Sequence, residues 1–236
     1  MNIAGLQKMT LLDYPGRVAC TVFLQGCNFR CPFCHNADLL PGQGQALMTD
    51  AELLAFLEKR KGLLDGVCVT GGEPTLQKEL PELLSGSKAW GYDVKLDTNG
   101  ARPEVLRALV EAGAVDYVAM DIKNSREEYP ATAGIRENQM PAIEESIRYL
   151  LQGKVDYEFR TTVVRELHSS RSIEDMGRWV CSLAEGRKPG KWYLQSYVDR
   201  DSVLSAGLSA PEKENMQRYA EILTPFADFV SLRGVD

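Results

Sequence analysis

The chain has 236 residues, of which 44% are hydrophobic and 25% are charged, and its formal net charge is −6. These values are typical of a single globular α/β domain over residues 1–236, and they argue against a nucleic-acid partner because no basic stripe stands out. No basic segment precedes an apolar one near the first residue, and no apolar run approaches the roughly 18 residues of a membrane span. We therefore expect a cytoplasmic protein with no membrane partner.

Short apolar runs rich in β-branched residues alternate with amphipathic segments along the chain. We predict strands at residues 18–24, 66–70, 93–97, 116–120, 157–163 and 192–197. Helices are predicted at residues 50–60, 77–90, 103–112, 140–152, 172–186 and 211–223. Such alternation indicates a parallel sheet with crossover helices. Six units cannot close an eight-stranded barrel, so we predict an α/β fold, a partial (β/α)6 barrel, with its ligand site at the carboxyl ends of the strands.

Polar residues recur at every second position of four elements, although parallel strands covered on both faces are usually apolar. They are Lys95, Asp97, Asp121, Lys123, Glu158, Arg160, Thr162, Tyr193, Gln195 and Tyr197. Partly exposed edge strands would give the same pattern. Because it recurs on four elements, we favour a concave interior whose charged groups bind a polar ligand.

Six cysteines in a reducing compartment point to metal binding or catalysis rather than disulfides. Cys27, Cys31 and Cys34 follow the first predicted strand with C-x3-C-x2-C spacing, whereas the other three are expected to be buried packing residues. Three thiolates on one loop can hold a 4Fe–4S cluster and leave one iron open. A structural zinc site needs a fourth ligand, the C-x-x-C-H haem motif belongs to exported proteins, and a thioredoxin-like pair ignores Cys27. We favour the cluster.

This cysteine segment resembles the signature of the radical S-adenosylmethionine (SAM) superfamily, C-x3-C-x-aromatic-C, with Phe33 at the aromatic position. The resemblance implies that the open iron binds the amino and carboxylate groups of SAM. One-electron reduction then releases methionine and a 5′-deoxyadenosyl radical, which abstracts a hydrogen atom.

Gly71, Gly72 and Glu73 after the second strand resemble the family's GGE motif. The glycines allow a close backbone approach to a ligand, and the carboxylate of Glu73 can accept hydrogen bonds from an ammonium group.

Two further motifs resemble the activases of glycyl radical enzymes. The segment LDTNG, with Asp97 and Asn99, ends the third strand, and Asp121-Ile122-Lys123 follows the fourth. The resemblance implies that Asp97 and Lys123 help to place polar groups of the cofactor, and that Asp97 with Asp121 could hold a monovalent cation. Asn99 also precedes a glycine, which is a common turn signal.

Several polar residues of the later strands are weaker candidates. Arg160 could bind a carboxylate of the cofactor through its planar guanidinium, or it could form a structural ion pair with Glu158. Gln195 and Tyr197 are candidates for contacts to the ribose or adenine. The two histidines, at positions 35 and 168, are expected to have polar roles at the surface or in loops.

The opening segments narrow the resemblance within the superfamily. Gly5-Leu-Gln-Lys, Leu12-Asp-Tyr-Pro-Gly, Phe23-Leu-Gln-Gly-Cys and Cys34-His-Asn resemble the activating proteins of anaerobic ribonucleoside-triphosphate reductase. Such proteins take a hydrogen atom from a glycine Cα of a partner enzyme, and flavodoxin or ferredoxin is the expected electron donor. Three alternatives stay open: activation of another glycyl radical enzyme of the pyruvate formate-lyase type, chemistry on a small metabolite, and a non-enzymatic iron–sulfur or zinc module.

Overall fold

The computed structural model describes residues 1–40, 46–184, 187–200 and 202–235. Its strands are β1 (Ile3–Thr10), β2 (Ala19–Leu24), β3 (Gly66–Gly71), β4 (Asp93–Thr98), β5 (Tyr117–Asp121), β6 (Asp156–Val163), β7 (Trp192–Ser196) and β8 (Val230–Arg233). Its helices are α1 (Asp50–Arg60), α2 (Leu80–Ala89), α3 (Pro103–Glu111), α4 (Tyr129–Ala133), α5 (Met140–Leu150), α6 (Ser170–Leu183) and α7 (Lys213–Leu223). Within these ranges, every helix is too short or too polar to span a lipid bilayer.

The chain forms two compact units. The first unit comprises Met1–Asn28, Asp38–Thr98 and Glu104–Ala119, and the second comprises Phe29–Ala37, Asn99–Pro103 and Met120–Asp236. Strand β5 contributes its first three residues to the first unit and its last two to the second. The interpretation of residues 1–236 as one domain stays a prediction.

In the first unit the strands are neighbours in the order β1-β2-β3-β4-β5. Strand β1 is antiparallel to β2, whereas β2, β3 and β4 are parallel to one another. The core contains fully buried Val22, Val69 and Leu96 from the strands and Leu57 from α1. Thr49 and Glu52 form a capping box at the start of α1: the hydroxyl of Thr49 accepts a hydrogen bond from the amide of Glu52, and the carboxylate of Glu52 accepts one from the amide of Thr49.

In the second unit the order is β5-β6-β7-β8, and β6, β7 and β8 are parallel. Phe159 on β6 and Trp192 on β7 are fully buried and meet edge to face, with ring centroids 5.6 Å apart. The indole of Trp192 donates a hydrogen bond to the hydroxyl of Thr161 at 3.0 Å. The apolar face of these strands is therefore a packed core, which leaves the alternate positions for polar side chains.

All six predicted strands are present, and each end lies within one residue of its prediction. The predicted helices are also present, although the last two positions of the helix predicted at 172–186 lie outside the described residues. Two strands, β1 and β8, were not predicted. Strand β1 contains Gly5 and the polar pair Gln7 and Lys8, and β8 has only four residues, so neither shows a clear apolar period.

Candidate functional site

In the first unit, Gly71 and Gly72 lie against the backbone that leads into Cys27. The amide of Gly72 donates to the carbonyl of Leu24 at 2.9 Å, and the amide of Glu73 donates to the carbonyl of Gly26 at 2.7 Å. A Cβ on Gly72 would lie 2.0 Å from the oxygen of Gly26, and one on Gly71 would lie 2.3 Å from the oxygen of Leu24. Close packing against the backbone thus requires glycine at both positions, and the predicted approach of these glycines to a ligand stays a prediction.

Glu73 is fully buried, and threonines orient its carboxylate. Its Oε1 accepts hydrogen bonds from the amide of Thr75 at 3.2 Å and from the hydroxyl of Thr75 at 2.5 Å. The hydroxyl of Thr98, in the LDTNG segment, donates to the same oxygen at 2.8 Å. The GGE and LDTNG motifs are thus linked through side chains, a link that no local sequence pattern indicates because Glu73 and Thr98 are 25 positions apart.

Lys95 and Asp97, which the sequence placed on one face of β4, form an ion pair. Only 1% of the surface of Lys95 is exposed. Its Nζ also lies 3.8 Å from the Sγ of Cys68, which is its register partner on β3. The alternate residues Val94 and Leu96 are fully buried in the apolar core. The polar face of β4 is therefore buried and paired, and it is not a solvent-exposed edge.

In the second unit, helix α4 supports the loop that carries Cys31 and Cys34. The amide of Arg30 donates to the carbonyl of Ala133 at 3.1 Å, and the Sγ of Cys31 lies 3.5 Å from the same carbonyl. Gly134 follows α4 with φ +63°, and a Cβ there would lie 2.3 Å from the oxygen of Arg30. The amide of Cys34 donates to the carbonyl of Cys31 at 3.1 Å. This turn fixes the spacing of the two cysteines.

Asp121 binds two cationic side chains in the second unit. Lys123 donates to its Oδ2 at 2.9 Å, and Arg160 donates to its Oδ1 at 3.0 Å. Burial alone would raise the pKa of Asp121, but the charges of Arg160 and Lys123 outweigh it and lower that pKa to about 2. Burial would likewise lower the pKa of Lys123, and the attraction of Asp121 outweighs it and raises that pKa. The Nζ of Lys123 also lies 5.9 Å from the ring centroid of buried Phe33.

Glu158 forms an ion pair that the sequence did not predict. Arg233 on β8 binds it through two hydrogen bonds, at 2.9 and 3.0 Å, and Glu158 is only 1% exposed. The guanidinium of Arg233 also lies 3.4 Å from the ring centroid of Tyr193. Arg160 thus binds Asp121, and Glu158 binds Arg233.

Tyr197 stacks on His35, with ring centroids 5.4 Å apart and an interplanar angle of 17°. The Nε2 of His35 lies 2.7 Å from the carbonyl oxygen of Val198, and the hydroxyl of Tyr197 donates to Asp199 at 3.2 Å. The residue after Cys34 is thus held by the segment that follows β7. The sequence offered no signal for this contact, because positions 35 and 197 are far apart in the chain.

Two weaker candidates occupy ordinary structural positions. The Oδ1 of Asn99 accepts a hydrogen bond from the amide of Ala101 at 3.0 Å, which is the turn geometry that its sequence context also predicted. Gln195 lies half-buried on β7 in register with Thr162 on β6 and Arg233 on β8. Both residues belong to the second unit. Their contacts to a cofactor stay predictions.

His168 lies in the loop between β6 and α6, which is one of its two expected positions, and it is buried rather than at the surface. Its Nδ1 accepts a hydrogen bond from the amide of Val164 at 3.1 Å, and its Nε2 lies 2.9 Å from the carbonyl oxygen of Lys123. A neutral imidazole satisfies both partners, and burial lowers the pKa of His168. The histidine therefore connects the end of β6 to the Asp121–Lys123 segment.

The cysteine side chains fit an iron–sulfur cluster by their chemistry. All six cysteines are free thiols; Cys20, Cys31 and Cys68 are buried, and the others are half-buried. Cys27 belongs to the first unit, while Cys31 and Cys34 belong to the second. Among the described residues, no group of three or more His, Cys, Asp or Glu side chains could hold a single metal ion. Ligands of one ion must converge on one point, whereas the thiolates of a 4Fe–4S cluster each bind a different iron.

Comparison with known proteins identifies the family. A sequence model described as the radical SAM superfamily matches residues 21–173, which is more than half of the chain. The chain belongs to the radical SAM superfamily. Members of this family use a 4Fe–4S cluster and SAM, so this radical SAM chain is an enzyme with these two cofactors.

Two curated relatives resemble this radical SAM enzyme to different extents. A Methanocaldococcus jannaschii protein named "Putative glycyl-radical enzyme activating enzyme" is 28% identical over 242 residues, covering 99% of this chain and 96% of the relative. The pyruvate formate-lyase-activating enzyme of Clostridium pasteurianum is 35% identical over 128 residues. That second match covers 52% of each chain.

A solved structure supports the fold of this radical SAM enzyme. The domain of a pyruvate-formate lyase-activating enzyme from Bacteroides vulgatus ATCC 8482 has a TM-score of 0.58 and 22% identity, covering 72% of this chain and 99% of that one. Likeness at this identity concerns the fold alone. Together with the strand order, it confirms the predicted fold class, an α/β fold of the radical SAM type.

Proposed function

We propose that this radical SAM enzyme is an activase that forms a glycyl radical on a partner enzyme, and that the partner is anaerobic ribonucleoside-triphosphate reductase. When bound, the cluster and SAM supply the 5′-deoxyadenosyl radical that takes a hydrogen atom from a glycine Cα of the partner. The observation that carries the proposal is the 28% identity to the archaeal relative named as an activating enzyme, because it extends over 99% of this chain and 96% of that one. The opening sequence motifs support the choice of reductase.

The proposal assigns the cluster to the three cysteines of the signature. Cys27, Cys31 and Cys34 hold the 4Fe–4S cluster, and Phe33 shields it from solvent as a buried neighbour in the chain. Helix α4 holds the backbone just before the second cysteine, because the carbonyl of Ala133 accepts a hydrogen bond from the amide of Arg30. A mutation that moves this loop should therefore weaken binding of the cluster.

The proposal assigns the polar groups of SAM to the ends of the strands. Glu73 accepts hydrogen bonds from the ammonium group, on a turn that Gly71 and Gly72 allow to lie close to the cysteine loop. Asp97 and Lys123 place the remaining polar groups of the methionine part and the ribose. Because Glu73 is already oriented by threonines, little conformational entropy is lost when the ammonium group binds.

Four further residues have supporting roles in the proposal. Arg160 binds the carboxylate of SAM while its Nε is held by Asp121. Gln195 and Tyr197 contact the ribose or adenine, and Asn99 shapes the turn after β4. Since Tyr197 is almost fully buried and stacked on His35, its role is to shape the edge of the site, with its hydroxyl as the polar contact.

A second target has a specific observation in its favour. The Clostridium pasteurianum relative, which is 35% identical over its matched half, is named for pyruvate formate-lyase. An activase of that type would share the cluster and SAM site and would differ only in the surface that receives the partner. The two targets are therefore separated by partner choice and not by the chemistry of the site.

The test is anaerobic reconstitution with iron and sulfide, reduction by dithionite, and assay of 5′-deoxyadenosine with each candidate partner. We expect 5′-deoxyadenosine from the enzyme and a glycyl radical signal by electron paramagnetic resonance in the reductase. A reductase variant whose target glycine is replaced by alanine is the control and should give no signal. A signal only in pyruvate formate-lyase would name the second target, and 5′-deoxyadenosine without any partner radical would contradict the activase proposal.

The electron donor and the cellular location are parts of the same proposal. Flavodoxin or ferredoxin replaces dithionite as the physiological donor, and both proteins belong to the cytoplasm in which we place the enzyme. Replacement of dithionite by either reduced protein in the same assay tests the donor. If neither flavodoxin nor ferredoxin supports formation of 5′-deoxyadenosine, the proposed electron donor is contradicted and the rest of the proposal is not affected.

A further inference from the structure

The sequence resemblance implied a monovalent cation at Asp97 and Asp121, and the ion pairs of the two carboxylates disagree with it. Asp97 is bound by the ammonium group of Lys95 within the first unit. Asp121 is bound by Lys123 and Arg160 within the second unit. In each group, a carboxylate oxygen therefore already binds a cationic side chain of the chain itself.

Lys95 is positioned by the strand itself. Residues two apart on a strand lie on the same face, so the side chains of Lys95 and Asp97 are neighbours by backbone geometry alone. Lys95 is only 1% exposed, and it lies beside the Sγ of Cys68, which is fully buried. A buried ammonium group is stable only when it is paired, and Asp97 provides that pair. The contact therefore stabilises the first unit.

We propose that the ammonium group of Lys95 takes the place of a monovalent cation at Asp97. Lys95 is a positioning residue: it fixes the carboxylate of Asp97, and it makes SAM binding independent of potassium or sodium. The inference rests on the role of Asp97 in the proposed SAM site, but it does not depend on the identity of the partner enzyme. Because the positive charge of Lys95 is part of the chain, binding of SAM would not depend on the potassium or sodium concentration in the cell.

The first test compares salts at matched ionic strength with the cluster-free protein and with the reconstituted enzyme. For the wild type we expect the same melting temperature in potassium chloride and in tetramethylammonium chloride. The SAM dissociation constant and the rate of 5′-deoxyadenosine formation should each agree within about twofold between the two salts. Tetramethylammonium is too large for a site built for potassium. A fivefold or greater stimulation by potassium over tetramethylammonium would overturn the proposal (about 1 kcal/mol at 25 °C).

The second test removes the built-in cation. Lys95→Met removes this cation from a carboxylate whose side chain is only 13% exposed, so we expect the melting temperature of the cluster-free protein to fall by about 10 °C. Ammonium or potassium chloride should restore at least half of that fall, and tetramethylammonium chloride should not. Lys95→Arg keeps the charge and should remain independent of the salt. A loss in Lys95→Met that all three salts restore equally would overturn the proposal.

Lys88→Met is the matched control in the same unit. Lys88 binds both oxygens of Asp116 at 2.6 and 2.8 Å, but both side chains are about one-third exposed, so water can replace the ammonium group. We expect a smaller fall in melting temperature and no preference among the salts. A potassium preference in this control equal to that of Lys95→Met would show that the effect is general, and it would overturn the proposal. All these melting temperatures are measured without a partner enzyme. They therefore test the role of Lys95 even if the proposed function is wrong.

Discussion

Gly72 offers the sharpest test of the packing that supports the site. Substitution by alanine adds a Cβ that would lie 2.0 Å from the backbone oxygen of Gly26 and 3.2 Å from the amide nitrogen of Cys27. Backbone atoms cannot rotate away, so the two segments must separate. Overpacking of this kind costs about 1–3 kcal/mol, and each of the two hydrogen bonds that join the segments contributes about 1 kcal/mol. We therefore expect Gly72→Ala to lower the free energy of unfolding by about 2–4 kcal/mol.

The assay is equilibrium urea unfolding of the cluster-free protein under anaerobic conditions. A loss of this size should lower the urea midpoint by about 1 M or more without changing the slope. The reconstituted variant should also bind less iron per chain, because the displaced backbone carries Cys27. The matched control is Gly86→Ala in α2, where an added Cβ meets nothing within 4 Å. That change should raise stability by about 0.5–1 kcal/mol, since alanine favours the helix.

The result that would refute this reasoning is a Gly72→Ala midpoint within about 0.2 M of the wild type. It would mean that the two segments do not approach as closely as the structure shows. A fall of the same size in Gly86→Ala would refute it as well. In that case, loss of any glycine would destabilise the first unit, irrespective of the contact with Gly26.

Three other predictions test single residues. Cys31→Ala should abolish the absorbance of the cluster and all cleavage of SAM, and retention of a full cluster would remove Cys31 from the ligand set. Glu73→Ala should keep the cluster and weaken SAM binding, measured by calorimetry, by about 1–3 kcal/mol, whereas unchanged affinity would remove Glu73 from the site. Burial lowers the pKa of His168 in the folded state, so the unfolded chain binds a proton more readily than the folded chain does. The free energy of unfolding should therefore fall as the pH drops below about 6.5, by at most about 1.4 kcal/mol per pH unit. Urea unfolding between pH 7.5 and 5.5 checks this, and an equal slope in His168→Gln would count against it.

Local patterns were enough to predict most of the fold. The parallel strands contain compact apolar β-branched runs, so their positions could be predicted to within one residue. The period-2 polarity of β4 also predicted correctly that Lys95 and Asp97 share a face. These predictions succeeded because strand periodicity depends only on neighbouring residues.

The partners of the polar residues could not be predicted in the same way. Arg160 and Asp121 are 39 residues apart, and Glu158 and Arg233 are 75 apart, so no local pattern distinguishes these pairs from a pair between Arg160 and Glu158. The carbonyl and amide groups that bind His168 are backbone atoms, which every residue carries. Pairings of this kind follow from the way the strands are brought together and become visible only in the folded chain.

The bond between Glu158 and Arg233 has a consequence for synthesis of the protein on the ribosome. Glu158 lies on β6 and is almost fully buried, while its two hydrogen bonds come from the last residue of β8. During translation, β6 and β7 emerge before the residue that neutralises this carboxylate. Because burial of a carboxylate is unfavourable unless its charge is compensated, Arg233 can stabilise the second unit only after β8 has been synthesised and has paired with β7.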